Sequence, residues 1–174
     1  MPASLPERPD LSEAEILLLR QVAGGHLNAA VSRATGIPEK SVTTTVTALT
    51  SKLGTPHRYR AAAMGVGWGW VRTEDVPVVN PTGVPLPAQQ REVLVGLVSG
   101  EEPQATAKRL GLAEGTVRTY VQKILTTFGV RSRQQAAALA LLSGVVPLSA
   151  LGEDWPDTAF GEAVEPVPQP AGAS

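Results

Sequence analysis

Residues 104–133 read QATAKRLGLAEGTVRTYVQKILTTFGVRSR, and this stretch decides the fold. Pro103 opens a short helix carrying Ala107 and Leu110, and Gly111 supplies the conformational freedom of a tight turn. Glu114 then begins a longer helix in which Val117, Val121, Ile124, Leu125 and Phe128 recur at helical spacing until Gly129 ends it. Two helices joined by a short Gly-containing turn, the second with polar residues facing out, form a helix-turn-helix. With the apolar set inward, Thr116, Arg118, Thr119, Tyr120, Gln122 and Lys123 face outward or flank the seam. Such a mixture suits a major groove. Arg can bond guanine O6 and N7, Gln can pair with adenine, a Thr methyl can meet thymine, and Lys, Tyr and Thr can hold phosphates.

The flanking residues extend the unit to four helices. Upstream, LPAQQREVLVGLVSG (86–100) places Pro87 at a first turn and Val93, Leu94, Leu97 and Val98 at helical intervals before Gly100. Downstream, Ser132 and Gln135 have capping-box spacing, and Ala136 to Leu142 is predicted to be a fourth helix ending at Gly144.

The same pattern occurs once more. Shifted by 75 positions, residues 11–71 align with 86–146 without a gap, with identities that include Gly25/Gly100, Gly36/Gly111, Glu39/Glu114, Val42/Val117, Val46/Val121 and Arg58/Arg133. Ala61–Ala63 likewise match Ala136–Ala138. In the first copy Ser12 and Glu15 form another capping box, and Gly24-Gly25 stops the first helix. Its last segment, GVGWGWV (65–71), is expected to fray or turn extended, since each Gly lowers helix propensity by about 1 kcal/mol relative to Ala. Trp68 and Trp70 read more readily as rings sealing a small core than as a partner patch.

At these residues the chain resembles the LuxR/NarL/FixJ family of helix-turn-helix domains. LPAQQREVLVGLVSG looks like the family's opening helix, AKRLGLAEGTVRTYVQKILTTFGVRSR like its turn and recognition helix, and AAALALLSGVV like its dimer-forming last helix. Pro103 and Gln104 depart from the Asn-Lys often found there, and Tyr120 from the frequent His. The resemblance implies an all-α fold of two tandem four-helix units. It also implies that Arg118, Thr119 and Gln122 face bases, while Thr116, Tyr120, Lys123, Arg131 and Arg133 face phosphate. The first copy is more divergent: Thr43 and Ala48 occupy the slots of Arg118 and Lys123. Weaker contacts are expected there from Lys40, Thr43, Thr44 and Thr47, with Arg33, Lys52, Arg58 and Arg60 as further phosphate holders.

Composition is consistent with this assignment. The chain of 174 residues is 43% hydrophobic but only 4% aromatic, which suits small helical units closed by aliphatic side chains. Without cysteine there is no disulfide, zinc-thiolate or thiol chemistry, and His26 and His57 stand apart from any carboxylate cluster. Neither an enzyme nor a cofactor is therefore expected. The absence of a signal-like start or a membrane-length apolar run leads to the expectation of a soluble, cytoplasmic protein. The net charge of −1 hides an uneven distribution, because residues 11–71 and 86–146 each carry +3 and residues 147–174 carry −5.

Residues 1–10 form an N-terminal arm too short for a sensing domain, so any input signal is expected to arrive by another route. Residues 72–85, with Pro77, Pro81 and Pro85, are expected to be a semi-rigid spacer that could reach roughly 43 Å when extended. Residues 147–174 are expected to be an acidic, disordered tail, read as inert, although Trp155 and Phe160 offer a docking alternative. Two arrangements stay open: an intramolecular pseudo-dimer, or a homodimer through the last helix of a repeat. Two functions also stay open. The first is a sequence-specific regulator bound to double-stranded DNA. The second is a protein-interaction module, using the first unit or the tail to modulate another regulator.

Overall fold

Ser12 and Glu15 cap each other at the start of the first helix: the Glu15 amide donates to the Ser12 hydroxyl at 3.1 Å, and the Ser12 amide donates to the Glu15 carboxylate at 3.0 Å. In the computed structural model, which describes residues 6–79 and 82–160, this cap opens α1 (Glu13–Ala23). It is followed by α2 (Asn28–Thr35), α3 (Glu39–Lys52) and α4 (Arg58–Gly67). The second copy consists of α5 (Ala88–Ser99), α6 (Pro103–Leu110), α7 (Glu114–Phe128) and α8 (Arg133–Leu142). Among the described residues the fold is all-α, as expected. Residues 1–5, Asn80, Pro81 and 161–174, which include parts of the expected arm, linker and tail, lie outside the described residues.

Local punctuation works largely as the sequence predicts. Gly100, Gly111 and Gly129 each end a helix in the left-handed conformation. The Ser132–Gln135 box is also formed, but it starts α8 at Arg133 rather than Ala136, because the capped residues themselves make the first turn.

The end of α4 departs from expectation. Gly65 and Gly67 remain helical, and their neighbours leave no room for a side chain. A β-carbon on Gly65 would stand 2.7 Å from the Val71 side chain and 3.0 Å from Leu19, and one on Gly67 would stand 2.7 Å from both Leu151 and the Trp155 ring. Tertiary packing thus outweighs weak propensity. The chain reverses at Gly69, and the Trp70 and Val71 amides both donate to the Gly65 carbonyl. Trp68 and Trp70 are buried, in line with the sealing role.

The two copies share one apolar core. Helices α4 and α8 lie against each other, α8 also touches α1, and α4 touches α5. Ala61–Ala63 and Ala136–Ala138 are fully buried, and such small side chains let two helices approach closely. The packing is reciprocal. Arg60 of α4 lies over Gly100 of the second copy, while Gln135, 75 positions later, lies over Gly25 of the first.

The linker reading is corrected in the same way. Instead of spanning open space, residues 72–79 begin with a 3-10 helix (Thr73–Asp75), bury Val76, and return along the second copy. There the Val79 amide donates to the Gly129 carbonyl at 2.7 Å and Thr82 donates to Thr127 at 3.0 Å. The first half of the acidic segment is also folded. A second 3-10 helix, Leu148–Leu151, occurs 75 positions after the first, so the structural repeat runs past residue 146. Leu148, Leu151 and Trp155 are buried, and the Trp155 ring centroid lies 5.3 Å from that of Trp68. Average composition hid this because a Leu- and Trp-bearing half precedes a half rich in Pro, Gly and Ala.

Candidate nucleic-acid interface

Gly111 sets the angle between α6 and α7. Its φ is +67° and nothing would touch an added β-carbon, so the backbone conformation is the reason for glycine here. The Leu112 amide then donates to the Ala107 carbonyl at 2.9 Å, closing the turn before α7 begins. In α7, Val117, Val121, Ile124 and Leu125 are buried. On the opposite side Arg118, Thr119, Gln122 and Lys123 are exposed, with Thr116 and Tyr120 half-buried at the margins.

Each of these side chains has a defined neighbourhood. The Arg118 guanidinium donates to the Glu114 carboxylate at 2.7 Å, yet its side chain is 63% exposed. An exposed pair of this kind is weak enough to exchange for a phosphate or a base. The Thr119 hydroxyl donates to the Gly115 carbonyl at 3.0 Å, so it is engaged by its own helix. Tyr120 donates to Gln89 on α5 at 3.0 Å, and the Lys123 ammonium lies 5.8 Å from the Tyr120 ring centroid, within cation–π reach. Gln89 therefore positions the Tyr120–Lys123 pair. Sequence reasoning missed it, since no local periodicity links residues 31 apart.

The structure gathers Thr116, Arg118, Thr119, Tyr120, Gln122 and Lys123 on α7 and sets the other two candidates apart. Arg131 is exposed in the turn after α7, and its amide donates to Gln135 at 2.9 Å. Arg133 is half-buried on the first turn of α8 and acts across the junction between copies: burial pushes the Tyr59 phenol up, and the Arg133 charge opposes that shift. Arg109 is part of the scaffold. It ties α6 to the flanks of α5 through Glu101 at 2.8 Å and Glu92 at 3.2 Å. Burial works against its charge, but the two carboxylates outweigh this and hold its pKa above the usual value.

In the first copy, Lys40, Thr43, Thr44 and Thr47 are exposed on α3, as is Ala48 at the position of Lys123. This face is less available than its composition suggests. Asn28 donates to the Thr43 hydroxyl at 3.1 Å, and the Thr47 hydroxyl donates to the Thr43 carbonyl at 2.9 Å. Lys52 pairs with Glu15 at 3.0 Å, Arg33 is exposed and Arg58 is half-buried. The expectation for Arg60 is overturned. Its guanidinium donates to the carbonyls of Val98 at 3.2 Å and Leu151 at 2.8 Å, because position 60 lies on the side of α4 that meets the second copy. Burial lowers its pKa, and its guanidinium is engaged by these carbonyls of the second copy.

Comparison with known proteins yields a family match for both copies. The family described as bacterial regulatory proteins, luxR family, matches residues 9–65 and again residues 84–140. The chain is also 45% identical over 51 residues to a probable HTH-type transcriptional regulator, GfsR, of Streptomyces halstedii. That match covers 29% of this chain and 21% of the relative, so it spans about a fifth of the relative's length. No solved structure matches the chain significantly. Among the described residues, no helix is long and apolar enough to cross a membrane.

Proposed function

The chain belongs to the luxR family of bacterial regulatory proteins, and from that premise we propose that it is a sequence-specific transcription regulator that lays α7 in the major groove of duplex DNA. Membership by itself makes it a DNA-binding regulator in general terms, a class that is typically not enzymatic. The choice of α7 rests on one observation: Arg118, Thr119, Gln122 and Lys123 are exposed together opposite the buried Val117, Val121 and Ile124. In this reading Arg118, Thr119 and Gln122 face base edges. Thr116, Tyr120 and Lys123 hold phosphates, with Arg131 and Arg133 as more distant supports.

The α3 face has a lesser role. Lys40, Thr43, Thr44 and Thr47 can position the protein on the backbone, but no Arg or Lys occupies the slots of Arg118 and Lys123. That same poverty of charge favours the second reading for the first copy, a surface for another regulator. Selection of bound duplexes from a random pool, followed by affinity measurements across salt concentrations, tests the proposal. Lys123→Ala should reduce the salt slope by about 0.9, the share of one phosphate contact, and Arg118→Ala should relax the selected sequence. Failure of the intact protein to enrich any duplex at low salt would overturn the DNA reading.

A further inference from the structure

The contacts between the two copies follow a two-fold rule. Arg60 meets Gly100, and Gln135 meets Gly25, so equivalent positions of the repeat exchange partners. The hydrogen bonds behave similarly. Arg60 donates to the carbonyl of Leu151, the last residue of one 3-10 helix, at 2.8 Å, and Gln135 donates to that of Pro77, two residues past the end of the other, at 3.2 Å. Helix α4 touches α5 as α8 touches α1. A surface that pairs i with j and j with i is the mark of an isologous dimer interface, and here it lies within one chain.

This pairing uses up the surface through which a second chain would bind. Ala136, Ala137, Ala138, Ala140 and Leu141 of α8 are fully buried, as are Ala61, Ala62, Ala63 and Val66 of α4. Two units on a short tether meet at an effective concentration of about millimolar, which dissolved partner chains at ordinary levels do not match. The internal pair also differs chemically from a symmetric one. Arg60 occupies one of the two equivalent sites and Gln135 the other, so pairing two identical copies of either helix would repeat one of these groups and omit the other.

We infer that a single chain is a complete DNA-binding pair that recognises an asymmetric duplex: one half-site read by α7, and a neighbouring half held through its phosphates by α3. This inference rests on the DNA reading above. Paired helix-turn-helix units address half-sites about one helical turn apart, and their symmetry is mirrored in the DNA. In this chain the scaffold keeps the two-fold while the faces break it, with Arg118, Gln122 and Lys123 on one side and Thr43, Thr47 and Ala48 on the other.

The test uses the full chain and a duplex that it selects from a random pool. Sedimentation equilibrium without DNA should give the mass of one chain, 18.1 kDa, and titration should give one chain per duplex. The selected site should show one strongly specified half and one weakly specified half. Scrambling the first should lower affinity by at least about 100-fold and scrambling the second by less than about fivefold, since each mismatched base pair at a read position costs roughly tenfold or more. Lys40→Ala should reduce the salt slope and leave the selected sequence unchanged. Two chains per duplex, or a palindrome with equal halves, would overturn the inference. A dimeric mass without DNA would overturn the internal pairing whatever the DNA result. If the chain is monomeric but selects no duplex, the DNA reading fails and the asymmetric site fails with it.

Discussion

Arg60 lies so closely over Gly100 that a β-carbon added there would stand 2.6 Å from the Arg60 Cδ. Gly100 also has φ +88°, so Gly100→Ala carries both a backbone cost and a collision with a side chain held by two carbonyls. Gly111→Ala is the matched control, since φ there is +67° with nothing near the added carbon. Chemical denaturation should show a loss of about 1 kcal/mol for Gly111→Ala and about 2–3 kcal/mol for Gly100→Ala. The second variant should still unfold in one transition, because the core spans both copies. Equal losses in the two variants would mean that Arg60 contributes nothing at the junction.

The two arginines of greatest interest should separate cleanly. Arg60→Ala removes charged hydrogen bonds to two buried carbonyls and should cost about 1.5–3 kcal/mol of stability, leaving DNA affinity unchanged under conditions where the variant is folded. Arg118→Ala loses only an exposed pair with Glu114, so its stability should stay within about 0.5 kcal/mol of the parent. Its affinity for the selected duplex should fall about 10-fold to 100-fold. Denaturation and binding isotherms on both variants check this, and a folded Arg60→Ala protein with impaired binding would contradict the strut role.

Acid should reveal the cap of α1. The Ser12 amide and the Lys52 ammonium hold the Glu15 carboxyl below its ordinary value of 4.5. A lowered folded-state pKa contributes stability that is present above the unfolded value and lost as pH falls through the folded one. Glu15→Gln keeps an acceptor for the cap but loses the charge. Wild type should therefore exceed it by about 0.5 kcal/mol at neutral pH, with the difference shrinking as pH falls below the ordinary value of 4.5. Unfolding midpoints of the pair across this range provide the measurement, and a constant difference would exclude the charge as its source.

Trp155 should behave as a core residue despite its acidic surroundings. Trp155→Ala should cost about 3 kcal/mol, and Gly67→Ala should be destabilising because the new methyl meets Leu151 and the Trp155 ring. In the Trp155→Ala background the Gly67→Ala substitution should cost less, since part of the collision is gone. A double-mutant cycle read by thermal unfolding tests the coupling. Strict additivity would place Trp155 away from α4.

Much of this is legible in the sequence alone. The turns at Gly100, Gly111 and Gly129, the caps at Ser12 and Ser132, and the buried stripe of α7 are all encoded within a few residues of where they act, through helical periodicity and backbone conformation. The outward set of Arg118, Thr119, Gln122 and Lys123 follows from that stripe by exclusion.

What tertiary structure alone decided lies farther apart in the chain. Arg60 looked like a phosphate holder, but it reaches carbonyls 38 and 91 positions away. Gly65 and Gly67 suggest a frayed end, but both lie in α4, where Val71, Leu19, Leu151 and Trp155 pack against them. Residues 72–79 and 147–160 read as spacer and tail from their proline and acid content, although Val76 in the first and Leu148, Leu151 and Trp155 in the second find places in the shared core. A local pattern specifies a helix and its two faces. Which face another helix then covers depends on packing partners that sequence proximity does not encode, and here the internal pairing of α4 with α8 settled it.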